Sequence, residues 1–290
     1  TDLAGNTSNA TTNFVVTGDT TPPTVSSVVI ASAAGIQNDF LNADDNVSVT
    51  ATFSESVIVD NASGNPELNL VVGSYSREAT YASGSGSAPL VFQYTIQAGD
   101  NDTNGISIGA NVLALNSGTI RDAALNDAIL AHDAVPDNSS VKVDTTPPTV
   151  SIVAITDADG DQNSFLNAGD NVSVTATFSE LVNVSGTPII TLAVGSDNRT
   201  ASYASGDNST DLVFRYTILA GDNDTNGISI GANALALNSS TISDRAGNIA
   251  TDLTHDAVGN NSSYKVDATE FLVDNFTMSD TELKIGDNAT

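Results

Sequence analysis

The sequence predicts an all-β chain made of tandem antiparallel sandwiches, and three observations carry that reading. Long blocks recur once, apolar and polar residues alternate with a period of two, and no segment shows a convincing amphipathic-helix pattern. The recurrence is close. AGDNDTNGISIGAN at 98–111 returns unchanged at 220–233, DTTPPTVS at 19–26 returns at 144–151, and NVSVTATFSE at 46–55 returns at 171–180. The last two blocks repeat at an offset of 125 residues and the first at 122, because the loop between Val59 and Pro66 is three residues longer than its partner between Val184 and Pro188. A unit of this length is far above the periods of about 20 to 50 residues found in solenoids, so each copy can bury a core of its own.

Taken in chain order, a strand is expected near 25–31, just after the prolines of the repeated DTTPPTVS block. The next holds Val47, Val49, Ala51 and Phe53 alternating with Ser48, Thr50 and Thr52, the signature of a half-buried strand. Strands near 67–72 and 77–82 follow, and then Leu90, Phe92, Tyr94 and Ile96 alternate with Val91, Gln93 and Thr95. Segments near 106–115 and 139–143 complete the first copy, all of them separated by Gly, Asn, Asp and Ser clusters. The second copy repeats the pattern, with Leu212, Phe214, Tyr216 and Ile218 on the inward face. About seven strands per copy and no helix argue for an immunoglobulin-like two-sheet sandwich, with a barrel as the alternative.

The domain boundaries follow from the repeat: 20–144 is one module, 145–268 a second, 1–19 the tail of a preceding module and 269–290 the opening of a following one. Asp2-Leu-Ala-Gly-Asn6 parallels Asp244-Arg-Ala-Gly-Asn248, and Ile285-Gly-Asp-Asn-Ala-Thr290 parallels Ala168-Gly-Asp-Asn-Val-Ser173. Composition then narrows the partners. The formal charge is −27, from 35 Asp and Glu against 8 Lys and Arg, so nucleic acid and anionic membranes are repelled. No apolar run is long enough to insert into a membrane. Cysteine is absent, which removes disulfides and thiolate metal sites and suits an exported protein that does without disulfides. The acidity fits either a salt-adapted surface or divalent-cation binding.

The linker DTTPPTV, the blocks NVSVTATFSE and AGDNDTNGISIG, and the Asp244-x-Ala-Gly-Asn248 turn resemble the immunoglobulin-like (BIg-type) repeats of giant bacterial adhesins exported by type I systems. The resemblance covers both modules and both partial ends. It implies an extracellular, cell-surface extender module that is stiffened by calcium and carries a ligand-binding region elsewhere in the whole protein. The partners it implies are neighbouring repeats of the same chain and a cell-surface or matrix ligand.

Several acidic motifs are candidates for that calcium. Asp100, Asp102 and Asn104 before Gly105, repeated as Asp222, Asp224 and Asn226 before Gly227, match the first half of a D-x-[DN]-x-[DN]-G loop, in which alternate oxygens converge on a hard cation. Asn111 and Asn233 stand where such a loop requires Glu, so an Asx-rich turn accounts for the same residues. Asp157, Asp159, Asp161 and Asn163 offer oxygens at every other position, where the first module has Ser32, Ala34, Ile36 and Asn38. An additional calcium in the second module is the expectation. If strands alternate in direction, 157–163 and 222–227 meet Asp267 at one pole, as 100–105 meet Asp144. Glu180 and the 243–256 connection, like Glu55 in the first module, then lie at the opposite pole facing the preceding linker. A cation at each joint can clamp neighbouring modules there, and Pro147 and Pro148 stiffen the same joint by fixing φ.

Catalysis is not expected. His132-Asp133 and His255-Asp256 are repeat equivalents without an accompanying nucleophile elbow, and read as surface histidines at loop ends. Lys142 and Lys265 read as exposed strand lysines that blunt a sheet edge. A structural extender is therefore favoured over a glycan- or protein-binding module, which calls for an exposed aromatic platform in a chain with 5% aromatic residues and no Trp.

Overall fold

The computed structural model describes residues 3–4 and 18–270. The tail turn at Asp2 to Asn6 lies largely, and the opening of a following module at 285–290 wholly, outside the described residues. The chain divides into two compact units at Thr146/Pro147, two residues beyond the boundary read from the repeat. Each unit is all-β, and no helix occurs among the described residues.

In unit 1 the strands are β1 (Val25–Ala34), β2 (Phe40–Leu41), β3 (Asn46–Asp60), β4 (Glu67–Val72), β5 (Tyr75–Ser83), β6 (Ser87–Thr95), β7 (Asn101–Asp102), β8 (Ser107–Ala114), β9 (Thr119–Arg121) and β10 (Lys142–Asp144). A curled antiparallel sheet runs β1-β3-β6-β5-β4-β8, with β9 joined to the far end of β3. A small sheet runs β2-β10-β7, in which β10 is parallel to β2 and antiparallel to β7. Unit 2 repeats the arrangement with β11 (Val150–Asp159), β12 (Phe165–Leu166), β13 (Asn171–Ser185), β14 (Ile189–Val194), β15 (Asp197–Ser205), β16 (Ser209–Thr217), β17 (Asn223–Asp224), β18 (Ser229–Ala236), β19 (Thr241–Ser243) and β20 (Lys265–Asp267).

The alternation read from the sequence is what closes each core. Val47, Val49, Ala51 and Phe53 of β3 face Leu90, Phe92 and Tyr94 of β6, Leu68 and Leu70 of β4, and Ile108 of β8 in one buried cluster. Tyr81 caps Phe92 edge-on, with ring centroids 6.0 Å apart, and Tyr203 caps Phe214 in the same way. β3 is longer than its alternating segment. After Thr52 its pairing to β6 breaks register, and Ile58–Asp60 pair with β9 instead, so one strand serves two sheets.

Two expectations are corrected. Lys142 does not blunt an edge, because β10 is the central strand of its sheet, and its ammonium lies over the Phe40 ring at 5.3 Å. His132 and His255 are buried, not surface residues. His132 Nε2 accepts from the Val112 N–H at 3.0 Å while Nδ1 lies 2.8 Å from the Asp133 carbonyl oxygen, so the ring brackets β8 and the 131–134 segment.

Candidate metal centre

The repeated Asp-Asn-Asp-Thr-Asn-Gly loops are held tightly inside their own modules. Asp100, fully buried, accepts from Arg77 Nε at 2.7 Å, from the Tyr94 hydroxyl at 2.6 Å and from the Gln97 N–H at 3.0 Å. Asp222 repeats this with Arg199, Tyr216 and Leu219. Burial raises the Asp222 carboxyl, but hydrogen bonds from Arg199, Tyr216 and the Leu219 N–H outweigh it and leave the group below the ordinary carboxylate range. Asp102 Oδ1 accepts from the Asn104 and Gly105 N–H groups, and Oδ2 accepts from Gly73 N–H at 2.8 Å, tying the β4–β5 hairpin to β7. Asp224 does the same for Gly195, Asn226 and Gly227. Gly105 has φ +103, and a Cβ there would meet the Asn138 carbonyl oxygen at 1.9 Å, so the turn requires glycine. Asn104 and Asn226 point to the exposed side of these turns. The geometry is that of an Asx turn with both aspartates engaged by donors of the fold.

The expected polar convergence does occur: Asn101 pairs with Asp144 in unit 1 and Asn223 with Asp267 in unit 2. Asp144 Oδ1 accepts from Thr146 N–H at 3.0 Å. Asp267 Oδ1 accepts from the Thr269 hydroxyl and N–H, bonds that lower its carboxyl below the ordinary range. The 157–163 segment is less loop-like than its composition suggests. Asp157 and Asp159 belong to β11, opposite Ser173 and Asn171 of β13, and both are exposed. Asp161 and Asn163 follow beyond the strand end, and these carboxylates do not form a group of three with ligand atoms within 4.8 Å.

A gathered group does form at the opposite pole of unit 1. One oxygen from each of Asp19, Glu55 and Asp122 lies within 4.8 Å of the others. Glu55 comes from β3, Asp122 follows β9, and Asp19 from the segment before β1. Asn126 ties two of them together: its N–H and side-chain amide donate to the two Asp122 oxygens at 2.8 and 2.7 Å, and the amide also donates to the Asp19 carbonyl at 3.2 Å. Partial desolvation raises the Glu55 carboxyl, and repulsion from Asp19 and Asp122 adds to it. The Asn126 bonds hold Asp122 below the ordinary range. Three gathered carboxylates suit a hard divalent cation, which takes oxygen ligands and neutralises their mutual repulsion.

Glu55 and Glu180 are among the ligands expected from the sequence, whereas Asp19 and Asp122 are not. Their signal is the repeated turn: Asp122 to Asn126 occupies the place of Asp244 to Asn248, and Asp244 accepts from the Asn248 N–H and amide at 2.9 and 2.8 Å as Asp122 does from Asn126. Within unit 2, Glu180 and Asp244 again lie within 4.8 Å of each other. No family description matches this chain and no curated protein does.

Proposed function

We propose that this chain is a non-catalytic extender segment of a long, repetitive, extracellular bacterial surface protein, its modules stabilised by calcium. The observation that supports this most directly is the acidic trio Asp19, Glu55 and Asp122, of which Glu55 and Asp122 recur within the second unit as Glu180 and Asp244. Near-identical duplication multiplies one folding unit without adding chemistry, as a spacer requires. The resemblance to adhesin extender repeats supports the same role and location.

Calcium bound only by the folded trio adds mass-action stability and relieves the repulsion from Asp19 and Asp122 that adds to the effect of burial on Glu55. The test is thermal unfolding of the 290-residue chain with millimolar calcium and after chelation, alongside a glycan array. A higher midpoint with calcium and a blank array are expected. Specific glycan binding would favour a ligand-binding module instead.

A further inference from the structure

We propose that the free edge of β1 in unit 1 is a docking site for an extended, basic peptide, which adds as a strand between β1 and the 131–134 segment. Among the described residues β1 ends the curled sheet, with β3 as its only strand neighbour. The other side begins to close: Val25 N–H donates to the Ile129 carbonyl at 3.4 Å and Ile129 N–H to the Pro23 carbonyl at 2.8 Å. The closure stops there. Beyond Ile129 the chain turns to β8, where Asn111 N–H donates to the His132 carbonyl and His132 N–H to Asn111 Oδ1, and Ile108 pairs with Val135. The His132 ring fixes this departure through Val112 and Asp133.

The divergence leaves a cleft of about 490 Å³, with 25–28 on one wall and 131–134 on the other. Unit 2 repeats it between 150–151 and 254–256, in a cleft of about 440 Å³. The recurrence makes it a property of the module's architecture.

The edge carries no charged or proline guard. Natural edge strands are commonly blunted with lysine, proline, inward charge or β-bulges; β1 reads VSSVVIASAA and has none of the first three, while its pairing to β3 shifts register at Val25/Ser27 and Ile30/Ser32. Ser26, Ser27 and Val29 on it are exposed. A strand laid along it gains main-chain hydrogen bonds, the mode of β-augmentation. Charge selects the occupant. Asp133 lines the cleft in unit 1 and Asp256 in unit 2, and the whole chain carries −27, so a peptide bearing Lys or Arg is attracted whereas a second copy of the chain is repelled.

The test adds the acetylated, amidated peptide Lys-Val-Thr-Val-Lys-Val-Thr-Val-Lys to the 290-residue chain and follows amide hydrogen exchange, with the Glu-for-Lys peptide as control. Exchange across 25–29 should slow at least roughly tenfold with the Lys peptide, and the Glu peptide should bind at least about tenfold more weakly. Ser27→Pro should abolish the protection. Asp133→Lys, at an exposed side chain, should weaken binding even if the proline variant misfolds. No slowing at 25–29, or equal slowing by both peptides, would overturn the proposal. So would peptide-free protection that grows with protein concentration, which would make a second copy the occupant.

Discussion

Arg77 on β5 reaches across to the fully buried Asp100, with Nε 2.7 Å from Oδ1, and Arg199 meets Asp222 identically in the second unit. Asp100 and Asp222 each take a further bond from a tyrosine of the adjacent strand, so a buried carboxylate is held by a guanidinium on one side and a phenol on the other. The arrangement leaves no buried side-chain nitrogen or oxygen without a partner among the described residues. Removing the arginine alone strands a buried negative charge. Arg77→Met is therefore expected to cost unit 1 about 3 kcal/mol, read from denaturant unfolding, and Arg77→Lys to recover only part of it because a single ammonium replaces the planar fork.

The same group makes unit 2 sensitive to alkali. Burial, and then the hydrogen bond to Asp222, push the Tyr216 phenol up to about 12 from an ordinary value of 10. A raised phenol keeps in the folded state a proton that the unfolded chain releases, so its contribution is intact below pH 10 and is lost as the pH rises through 12. Asp222 runs the other way. Its carboxyl is lowered, so its contribution is present at neutral pH and is lost as the pH falls through its folded value, below 3.8. Tyr216→Phe should flatten the alkaline limb of unit 2 unfolding and weaken the acid limb, to which its hydrogen bond to Asp222 also contributes.

Leu125 adopts φ +71 at the position where the second copy has Gly247 with φ +89. A left-handed leucine carries a cost of about 1 to 2 kcal/mol, partly offset by the greater freedom that glycine adds to the unfolded chain. Leu125 is also exposed, so its side chain contributes little packing. Leu125→Gly is expected to raise the unfolding midpoint of unit 1 by a few degrees, and a scanning calorimeter resolves that change.

Much of this fold is legible in the sequence because its inward faces alternate strictly, as at Val47 to Phe53 and Leu90 to Ile96. The short strands β2, β7 and β12 are not legible. Two residues carry no period, and they exist only because β10 or β20 passes beside them. The reach of β3 to Asp60 is hidden for a related reason, since it depends on pairing with Thr119–Arg121 some 60 residues later. Spacing also suggested the loop of Asp100 and Asp102 as ligands, because a D-x-D-x-N-G string is identical whether its oxygens face an ion or face arginine and backbone N–H groups. Only the location of Arg77 on a neighbouring strand distinguishes them. The trio at the other pole is harder to read for the opposite reason: Asp19, Glu55 and Asp122 come from three distant segments, with Asn126 bridging Asp19 and Asp122 and β3 bringing Glu55 beside them.

That trio carries the proposed calcium dependence, and Glu55 is the member whose charge can be removed with least disturbance, since Asn126 does not depend on it. Its carboxyl is raised above 4.5, so the stability tied to its proton is present below that pH and is lost as the pH rises and Glu55 ionises beside Asp19 and Asp122. Without calcium, Glu55→Gln relieves this repulsion. The decisive measurement is calorimetric unfolding of the wild-type chain and of Glu55→Gln, each in chelator and in millimolar calcium at pH 7. Calcium should raise the wild-type midpoint of unit 1, and Glu55→Gln should unfold higher than wild type in chelator yet gain markedly less from calcium. A wild-type midpoint that calcium leaves unchanged, or an equal calcium gain in both proteins, would contradict the account.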